Sequence, residues 1–164
     1  AEEPPPALDR VLLATIVNDA VEGERLAAGE GVLFEENVPA SLIVRADPEQ
    51  LYRVLSNLIR NARQAMETAK RGGTILVEAA ETDRHWTIAV SDDGPGLPPK
   101  AREHLFTPFQ GGARKGGAGL GLAIAAELIR GHGGALRLDR TGSDGTVFVI
   151  ELPKSIVTEE QAAE

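Results

Sequence analysis

Residues 47–66 read DPEQLYRVLSNLIRNARQAM and predict a long amphipathic helix. Its apolar residues recur at helical spacing and form one stripe that faces a core. These residues are Leu51, Val54, Leu55, Leu58, Ile59, Ala62, Ala65 and Met66. Asp47 and Pro48 mark the start of the helix, because aspartate caps a helix N-terminus and proline is tolerated in the first turn. We expect the rest of the chain to be arranged around this helix.

Two asparagines, Asn57 and Asn61, lie one turn apart beside the apolar stripe. They are close to the buried side of the helix, and a buried amide needs hydrogen-bond partners, which a bound ligand or metal can provide. Asparagines in helices are also often tolerated through local hydrogen bonds or water. The choice between these readings depends on motifs further along the chain.

Composition limits the class of protein. A length of 164 residues with 42% hydrophobic content is typical of one soluble globular domain. A net charge of −8 argues against a nucleic-acid partner and against adsorption to anionic lipid. The absence of cysteine excludes disulfides and thiolate zinc sites and is compatible with the cytoplasm, where we expect the chain to act. No apolar run reaches membrane-spanning length, so we expect no direct membrane contact.

The chain divides into three parts by composition. Residues 1–7 are polar and rich in proline, so we expect them to be a linker that buries no surface. Residues 8–153 carry the periodic segments of the folded domain. Residues 154–164 are polar and are predicted to be a frayed tail.

Short segments around the asparagine helix predict the other elements. Before it, apolar spacing over residues 8–21 predicts a helix, and residues 32–35 with 42–44 predict an edge hairpin. After it, we expect two hairpins, two helices and a mobile glycine-rich segment. The hairpins are predicted at 74–79 with 86–91 and at 135–139 with 146–152. The helices are predicted at 98–105 and 119–130, and the mobile segment at 110–117. Helices grouped against an antiparallel-rich sheet predict an α+β two-layer sandwich.

Four short motifs follow the asparagine helix in a set order. They are DDGPG at 92–96, FTPF at 106–109, GAGLGL at 117–122 and GTVF at 145–148. Together with the helix, they resemble the N, G1, F, G2 and G3 boxes of the catalytic, ATP-binding domain of sensor histidine kinases, within the Bergerat-fold ATPase superfamily. The resemblance covers residues 8–153. It implies a mixed, mostly antiparallel sheet with helices on one face and ATP held between helices and sheet.

Asp92 is the first candidate for a ligand contact. A carboxylate at a strand end can accept a hydrogen bond from the exocyclic amine of adenine, whereas guanine presents a carbonyl there. Gly94 and Gly96 would let the backbone approach the base. The resemblance gives Asp92 this adenine-binding role and gives Thr146 a supporting one. Taken alone, the motif could equally be a plain Asp-Asp-Gly turn.

The resemblance assigns the two asparagines to the phosphate side. Asn61 matches the asparagine that holds Mg²⁺, a hard cation for which an amide oxygen is a suitable ligand. Asn57 stands where ATP-hydrolysing relatives carry a glutamate that activates water. We expect Asn57 and Asn61 to be catalytic residues. Because an amide cannot activate water, we expect little ATP hydrolysis. Gln64 replaces the lysine or arginine that is common three residues after the magnesium asparagine.

The glycine-rich motif runs into a helix N-terminus, where free amides and the helix dipole favour phosphate. Its candidate contacts are Gly117, Gly119, Leu120, Gly121 and Leu122. Arg114 and Lys115 are the candidates for the basic charge missing at Gln64. We expect Arg60 and Arg63 to be solvated rather than ligating. Phe106 and Phe109 would anchor an ATP lid over residues 98–118 or pack in the core.

None of the three histidines, His85, His104 and His132, has the setting of a phospho-acceptor in this family. We therefore expect the acceptor histidine on a dimerisation domain just before residue 1 of a longer kinase, with a response regulator downstream. Two alternatives remain: a non-catalytic docking module with this fold, and an anti-sigma-type serine kinase. The acid lability of phosphohistidine distinguishes the two kinases.

Overall fold

The computed structural model describes residues 3–107 and 118–155, with side chains described from residue 121 onward in the second range. In these ranges the elements follow one another as β1 (Asp9–Leu12), α1 (Leu13–Ala27), β2 (Val32–Asn37), β3 (Ile43–Ala46), α2 (Pro48–Thr68), β4 (Gly73–Glu81), β5 (His85–Asp92), α3 (Pro99–Glu103), α4 (Ala118–Gly131), β6 (Ala135–Gly142) and β7 (Gly145–Pro153).

Five of the strands form one sheet in the order β2-β4-β5-β7-β6. The β2–β4 pair is parallel, and the other neighbours are antiparallel. Helix α2 contacts α1 on one side and α4 on the other, and it lies against β2, β4 and β5. The prediction of an α+β fold, with a mostly antiparallel sheet and helices on one face, is confirmed.

The central element of the helix layer is α2, as the apolar stripe predicted. Asp47 Oδ1 accepts hydrogen bonds from the backbone N–H groups of Glu49 and Gln50 at 3.0 and 3.1 Å, so the predicted N-cap is present. All stripe residues except Ala65 are buried to 4% exposure or less. Burial of each large apolar side chain stabilises the fold by about 1.5–3 kcal/mol, which makes this stripe a main anchor of the helix layer.

Helix α2 ends at Thr68, with Ala69 as its C-cap and Lys70 as the residue after the cap. Lys70 adopts the left-handed conformation with φ of 53°. Its N–H donates to Glu67 O at 3.0 Å, and the N–H of Arg71 donates to Met66 O at 2.8 Å. These two bonds form a Schellman motif, in which glycine is the usual residue at the position that Lys70 occupies.

The prediction of a helix over residues 8–21 is wrong in its first part. Asp9–Leu12 forms β1, which pairs antiparallel with β3, and the helix begins only at Leu13. The N–H of Leu13 donates to Leu42 O at 3.1 Å. Apolar spacing cannot predict this pairing, because the backbone partner of β1 lies far along the chain, from Leu12 with Ile43 to Asp9 with Ala46.

The predicted edge hairpin of residues 32–35 and 42–44 is also wrong. β2 pairs in parallel with β4, and β3 leaves the main sheet to pair with β1. Two short apolar runs beside a turn are compatible with a hairpin, but the chain instead crosses over through α2 before returning to β4. A parallel pair needs such a long crossover, usually a helix.

The start of the chain, for which the composition predicted a free linker, contacts α2. The Gln50 side chain, 6% exposed, donates from Nε2 to the backbone oxygen of Pro4 at 2.9 Å. Arg53 Nη1 pairs with Glu3 Oε1 at 2.9 Å. Residues 3–7 therefore contribute contacts to the N-terminal half of α2.

Substitution Lys70→Gly should stabilise the protein by about 1 kcal/mol, because glycine adopts the left-handed conformation without the steric cost that a Cβ imposes. The measurement is the free energy of unfolding in denaturant. Lys70→Ala is the matched control, since it removes the same side chain but keeps the Cβ. Equal stability of the two variants would contradict the prediction.

Candidate functional site

Asp92 lies at the end of β5, between β4 and β7, with its carboxylate half-buried. Its Oδ1 accepts a hydrogen bond of 2.8 Å from the N–H of Gly94. Burial raises the pKa of Asp92 above its ordinary value, and hydrogen bonds from the backbone N–H groups of Gly94 and Thr146 offset this only in part. The ionised form of Asp92 is therefore less favourable in the folded protein than in a free aspartate.

A row of side chains crosses the whole sheet at the level of Asp92. Strand register aligns Phe34 with Ile75, Ile75 with Asp92, Asp92 with Thr146, and Thr146 with Thr141. Cross-strand neighbours point to the same face, and the buried Ile75 shows that this is the face covered by helices. The row is apolar on β2 and β4 and polar on β5, β7 and β6.

Glycines allow the loop after Asp92 to lie against the β6–β7 hairpin. Gly96 has φ of +85°, and a Cβ there would overlap the backbone oxygen of Gly142. Gly145 has φ of +136°, and a Cβ there would overlap the backbone oxygen of Asp92. At Gly94 a Cβ would come within 2.8 Å of Asp92 Oδ1 and 3.3 Å of Met66 Cγ. Only glycine fits these positions without a shift of backbone or side chains.

The Asp93 carboxylate has a different hydrogen-bond partner from the Asp92 carboxylate. Its Oδ2 accepts a hydrogen bond of 2.8 Å from the N–H of Thr74 at the start of β4. The two adjacent aspartates are thus separated by strand geometry, with Asp92 on the helix side and Asp93 holding the edge of β4. The two aspartates of the Asp-Asp-Gly motif therefore have different hydrogen-bond partners, Gly94 N–H for Asp92 and Thr74 N–H for Asp93.

The asparagines of α2 lie at the edge of its buried stripe. Asn57, Asn61 and Gln64 are all half-buried. Asn57 Nδ2 donates a hydrogen bond of 3.3 Å to the backbone oxygen of Gly121 in the first turn of α4. Among the described residues, no hydrogen bond of this kind is made by the Asn61 amide.

Helix α4 begins at Ala118, and the predicted phosphate contacts are placed around this terminus. Gly119, Leu120 and Gly121 lie in its first turns, whereas the Leu122 side chain is 4% exposed and packs in the core. A contact from Leu122 to a ligand would therefore have to use its backbone. Gly117, Arg114, Lys115 and Phe109 lie outside the described residues, as does the predicted mobile segment 110–117.

Helix α2 links the two groups of predicted residues. Met66 approaches Gly94 on the Asp92 side, and Asn57 contacts Gly121 on the α4 side. Nine residues separate Met66 from Asn57, a distance of about 14 Å along a helix axis. The structure thus brings Asp92, Gly94 and Thr146 together at one end of an elongated site and Asn57 and Gly121 at the other.

Two residues near the candidate site, Thr141 and Arg71, were not predicted from the sequence. Thr141 Oγ1 accepts a hydrogen bond of 2.9 Å from the N–H of Leu97 and lies 2.8 Å from Thr146 Oγ1. Arg71 acts electrostatically on Asp92 and lowers its pKa, against the larger effect of burial. An isolated strand threonine carries no sequence signal, because only strand register reveals its neighbours.

The expectation that Arg63 is solvated is wrong. Its guanidinium pairs with Glu24 at 3.1 Å and Glu67 at 2.8 Å, and only 11% of the side chain is exposed. Arg60 also pairs with Glu24, at 3.2 Å. Both arginines therefore join α2 to α1, on the side away from the asparagines.

Phe106 packs against the core through Phe148, with ring centroids 6.1 Å apart and planes inclined by 68°. This is an edge-to-face arrangement, which is favourable for aromatic pairs. Of the two readings offered by the sequence, core packing therefore describes the Phe106 ring.

Comparisons with known proteins agree with this architecture. Residues 46–156 match the family model described as histidine kinase-, DNA gyrase B-, and HSP90-like ATPase. Sensor histidine kinase ZraS of Salmonella typhi is 44% identical over 112 residues, which cover 67% of this chain and 23% of that protein. The chain thus spans about a quarter of the length of this relative.

Solved structures show the same fold. The catalytic domain of histidine kinase ThkA, in a nucleotide-free form, aligns with a TM-score of 0.76 at 28% identity, covering 91% of this chain and 99% of that domain. Full-length ShkA in complex with AMPPNP aligns with a TM-score of 0.76 at 28% identity, covering 95% of this chain and 33% of ShkA.

None of the helices in the described ranges has the length and apolar character that a membrane crossing requires. The family model matches more than half of the chain, and it includes the asparagine helix, Asp92 and Thr146. The chain belongs to the family of histidine kinase-, DNA gyrase B-, and HSP90-like ATPases, and it has the fold of the histidine kinase catalytic domains.

Proposed function

We propose that this chain binds Mg·ATP and transfers its γ-phosphoryl group to a histidine on a separate dimerisation domain. The observation that carries the proposal is the position of Asp92, a half-buried carboxylate at the end of β5 that pairs across the strands with Thr146, and burial raises its pKa. Perturbed titratable groups of this kind concentrate at functional sites. A ligand that donates hydrogen bonds would supply the missing stabilisation.

Adenine is the base that suits the Asp92 end of the site. Its exocyclic amine can donate to the carboxylate, whereas the corresponding carbonyl of guanine would be repelled. Gly94 and Gly96 hold the loop after Asp92 close to Asp92 and to the β6–β7 hairpin, and Thr146 adds a hydroxyl on the next strand. The Met66 side chain is fully buried and packs next to Gly94, which supports this loop from the core side.

The Asn61 end of the site suits Mg²⁺ bound to phosphates. The half-buried amide oxygen of Asn61 is the type of ligand that a hard cation prefers. No cluster of three histidine or acidic side chains competes for a metal within the described residues. One amide ligand suffices for Mg²⁺, which keeps several waters and binds phosphate oxygens. When bound, the cation would neutralise charge that develops on the phosphates.

The start of α4 is the proposed phosphate cradle. Free N–H groups at a helix N-terminus attract anions. Asn57 holds this terminus against α2 through Gly121. Gly117, Gly119, Leu120 and Gly121 remain proposed contacts, with Arg114 and Lys115 as further candidates for the basic charge that Gln64 does not provide.

The proposed reaction needs little acid–base chemistry from this chain. A neutral imidazole nitrogen attacks the γ-phosphorus, the bond to the β,γ-bridging oxygen breaks, and ADP leaves with that oxygen. The chain would orient the phosphates, balance their charge and exclude water. Asn57 offers no carboxylate to activate water, which favours transfer over hydrolysis.

The acceptor histidine is proposed to lie outside this chain. Both ring nitrogens of the buried His132 are engaged, since Nδ1 lies 2.8 Å from Leu128 O and Nε2 accepts from Asp47 N–H at 3.0 Å. His85 lies at the start of β5, and His104 caps the short α3. The proposed partners are a histidine-bearing dimerisation domain and a response regulator, and we infer that the reaction takes place in the cytoplasm.

Binding of a non-hydrolysable ATP analogue should depend on Asp92 and, in the presence of Mg²⁺, on Asn61. Asp92→Asn replaces a charged acceptor and is expected to weaken binding roughly 10- to 150-fold. Asn61→Ala should remove most of the enhancement by Mg²⁺. Isothermal titration calorimetry with and without Mg²⁺ measures both effects.

Matched controls for this titration are Asp93→Asn and Asn18→Ala. Asp93 bonds to Thr74 N–H, and Asn18 bonds to Glu36 on the surface. Neither should change the affinity by more than about threefold, since neither faces the site. Absence of saturable binding by the unaltered chain would refute the proposed function and favour a docking module.

Asp92→Asn should also stabilise the ligand-free protein at neutral pH. Because the folded-state pKa of Asp92 is raised above the ordinary value of 3.8, its stabilising contribution exists below that value and is lost as the pH rises through the folded-state pKa. We expect a melting temperature higher by no more than about 2–4 °C at pH 7, since solvent screens a half-exposed charge. The difference should shrink as the pH falls towards 3.8, and a destabilised variant at pH 7 would contradict the pKa direction.

Incubation of this chain with γ-labelled ATP should leave it unlabelled by itself. Addition of the histidine-bearing domain should produce an acid-labile phosphoprotein, because phosphohistidine is hydrolysed by acid. Replacement of the acceptor histidine by glutamine in that domain is the control. Acid-stable label on a serine would instead support the anti-sigma-type kinase.

A further inference from the structure

The Thr141 hydroxyl lies between two parts of the proposed adenine site. It accepts the N–H of Leu97 at 2.9 Å, and its oxygen is 2.8 Å from Thr146 Oγ1. Thr141 and Thr146 are directly paired across β6 and β7. Thr141 therefore connects the glycine loop that follows Asp92 with the strand that carries Thr146.

The bond from Leu97 favours one direction for the hydrogen bond between Thr141 and Thr146. A hydroxyl has one proton to donate and can accept two hydrogen bonds. The N–H of Leu97 can only donate, so Thr141 Oγ1 is an acceptor in that bond. A hydroxyl that accepts a hydrogen bond becomes a better donor, which favours donation from Thr141 to Thr146.

Donation by Thr141 leaves the Thr146 proton available. Thr146 is 4% exposed, so bulk water cannot readily reorient its hydroxyl. Its other cross-strand neighbour is Asp92. The helix-facing side of the sheet would then present a hydrogen-bond acceptor on Asp92 next to a hydrogen-bond donor on Thr146.

We propose that Thr141 is a positioning residue that sets base selectivity by fixing the Thr146 hydroxyl as a donor, while its bond to Leu97 N–H anchors the loop and contributes to affinity. The inference rests on the proposed function, since it concerns the same nucleotide site. An acceptor beside a donor complements adenine, whose amine donates and whose N1 accepts. Guanine has the opposite pattern, with a carbonyl and an N1–H, and is opposed at both positions.

Loss of the Thr141 hydroxyl would disturb both connections. The Leu97 N–H would lose its acceptor while the loop lies tightly against the hairpin at Gly96 and Gly142. The Thr146 hydroxyl would be free to rotate and to accept as well as donate. Selectivity, and not only affinity, should therefore decrease.

The test compares Thr141→Val, Thr141→Ser and Thr87→Val in the full chain. Thr87 lies on the β5 surface remote from Asp92, and its hydroxyl bonds to Ala80 O, so Thr87→Val is a matched control. Dissociation constants are measured for non-hydrolysable ATP and GTP analogues. Thr141→Val is expected to weaken ATP-analogue binding roughly tenfold and to lower the preference for the ATP analogue by a similar factor. Thr141→Ser, which keeps the hydroxyl, should stay within about threefold of the unaltered chain, and so should Thr87→Val.

A double-mutant cycle with Thr146→Val shows whether Thr141 acts through Thr146. The Thr141→Val/Thr146→Val double variant should lose no more base preference than Thr146→Val alone. Additive losses of preference would overturn the proposed route. If Thr141→Val fails to fold, Thr141→Ala compared with Thr141→Ser provides the same contrast.

The outcomes separate this inference from the proposed function. An unaltered chain that prefers the ATP analogue, together with a Thr141→Val variant that keeps the full preference, would overturn the role of Thr141 and leave the proposed function intact. An unaltered chain that binds neither analogue would overturn both. A lower melting temperature of Thr141→Val with unchanged base preference would show a purely structural role and would also overturn the inference.

Discussion

Hydrogen bonds at Asp47 join three parts of the protein at one point. Its Oδ1 caps α2, its Oδ2 accepts the N–H of Ala7 at 2.9 Å, and its own N–H donates to Nε2 of His132. His132 in turn contacts Leu128 O in the last turns of α4. Although burial acts to raise it, these backbone hydrogen bonds hold the pKa of Asp47 below its ordinary value. The ionised carboxylate is therefore a stabilising part of the junction at neutral pH.

This junction determines how the helix layer presents the site. Helices α2 and α4 are held together at one end by Asp47 and His132 and further along by Asn57 and Gly121. The buried stripe of α2 packs against the sheet, and α4 packs beside α2 on β6 and β7. At the level of Asp92, the helix-facing side of the sheet carries apolar residues on β2 and β4 and polar residues on β5, β7 and β6, so the candidate site borders the core.

Much of the architecture was predictable because its determinants are local. The N-cap at Asp47, the apolar stripe of α2 and the hairpin of β6 and β7 follow from residues close together in the chain. The pairing of β1 with β3 and of β2 with β4 was missed, since a strand pattern shows which side is buried but does not name the partner strand. Lys70 at the end of α2 was missed because glycine is the usual signal for that conformation.

The amino-acid sequence alone specified the fold class, the order of the nucleotide-binding motifs and the candidates Asp92, Asn57 and Asn61, because these depend on residue type and spacing. Tertiary structure alone decided which neighbouring groups act together. It separated Asp92 from Asp93, paired Arg63 with Glu24 and placed Thr141 against Thr146. The physical reason is that hydrogen bonds and burial depend on strand register and helix packing, which join residues far apart in the chain.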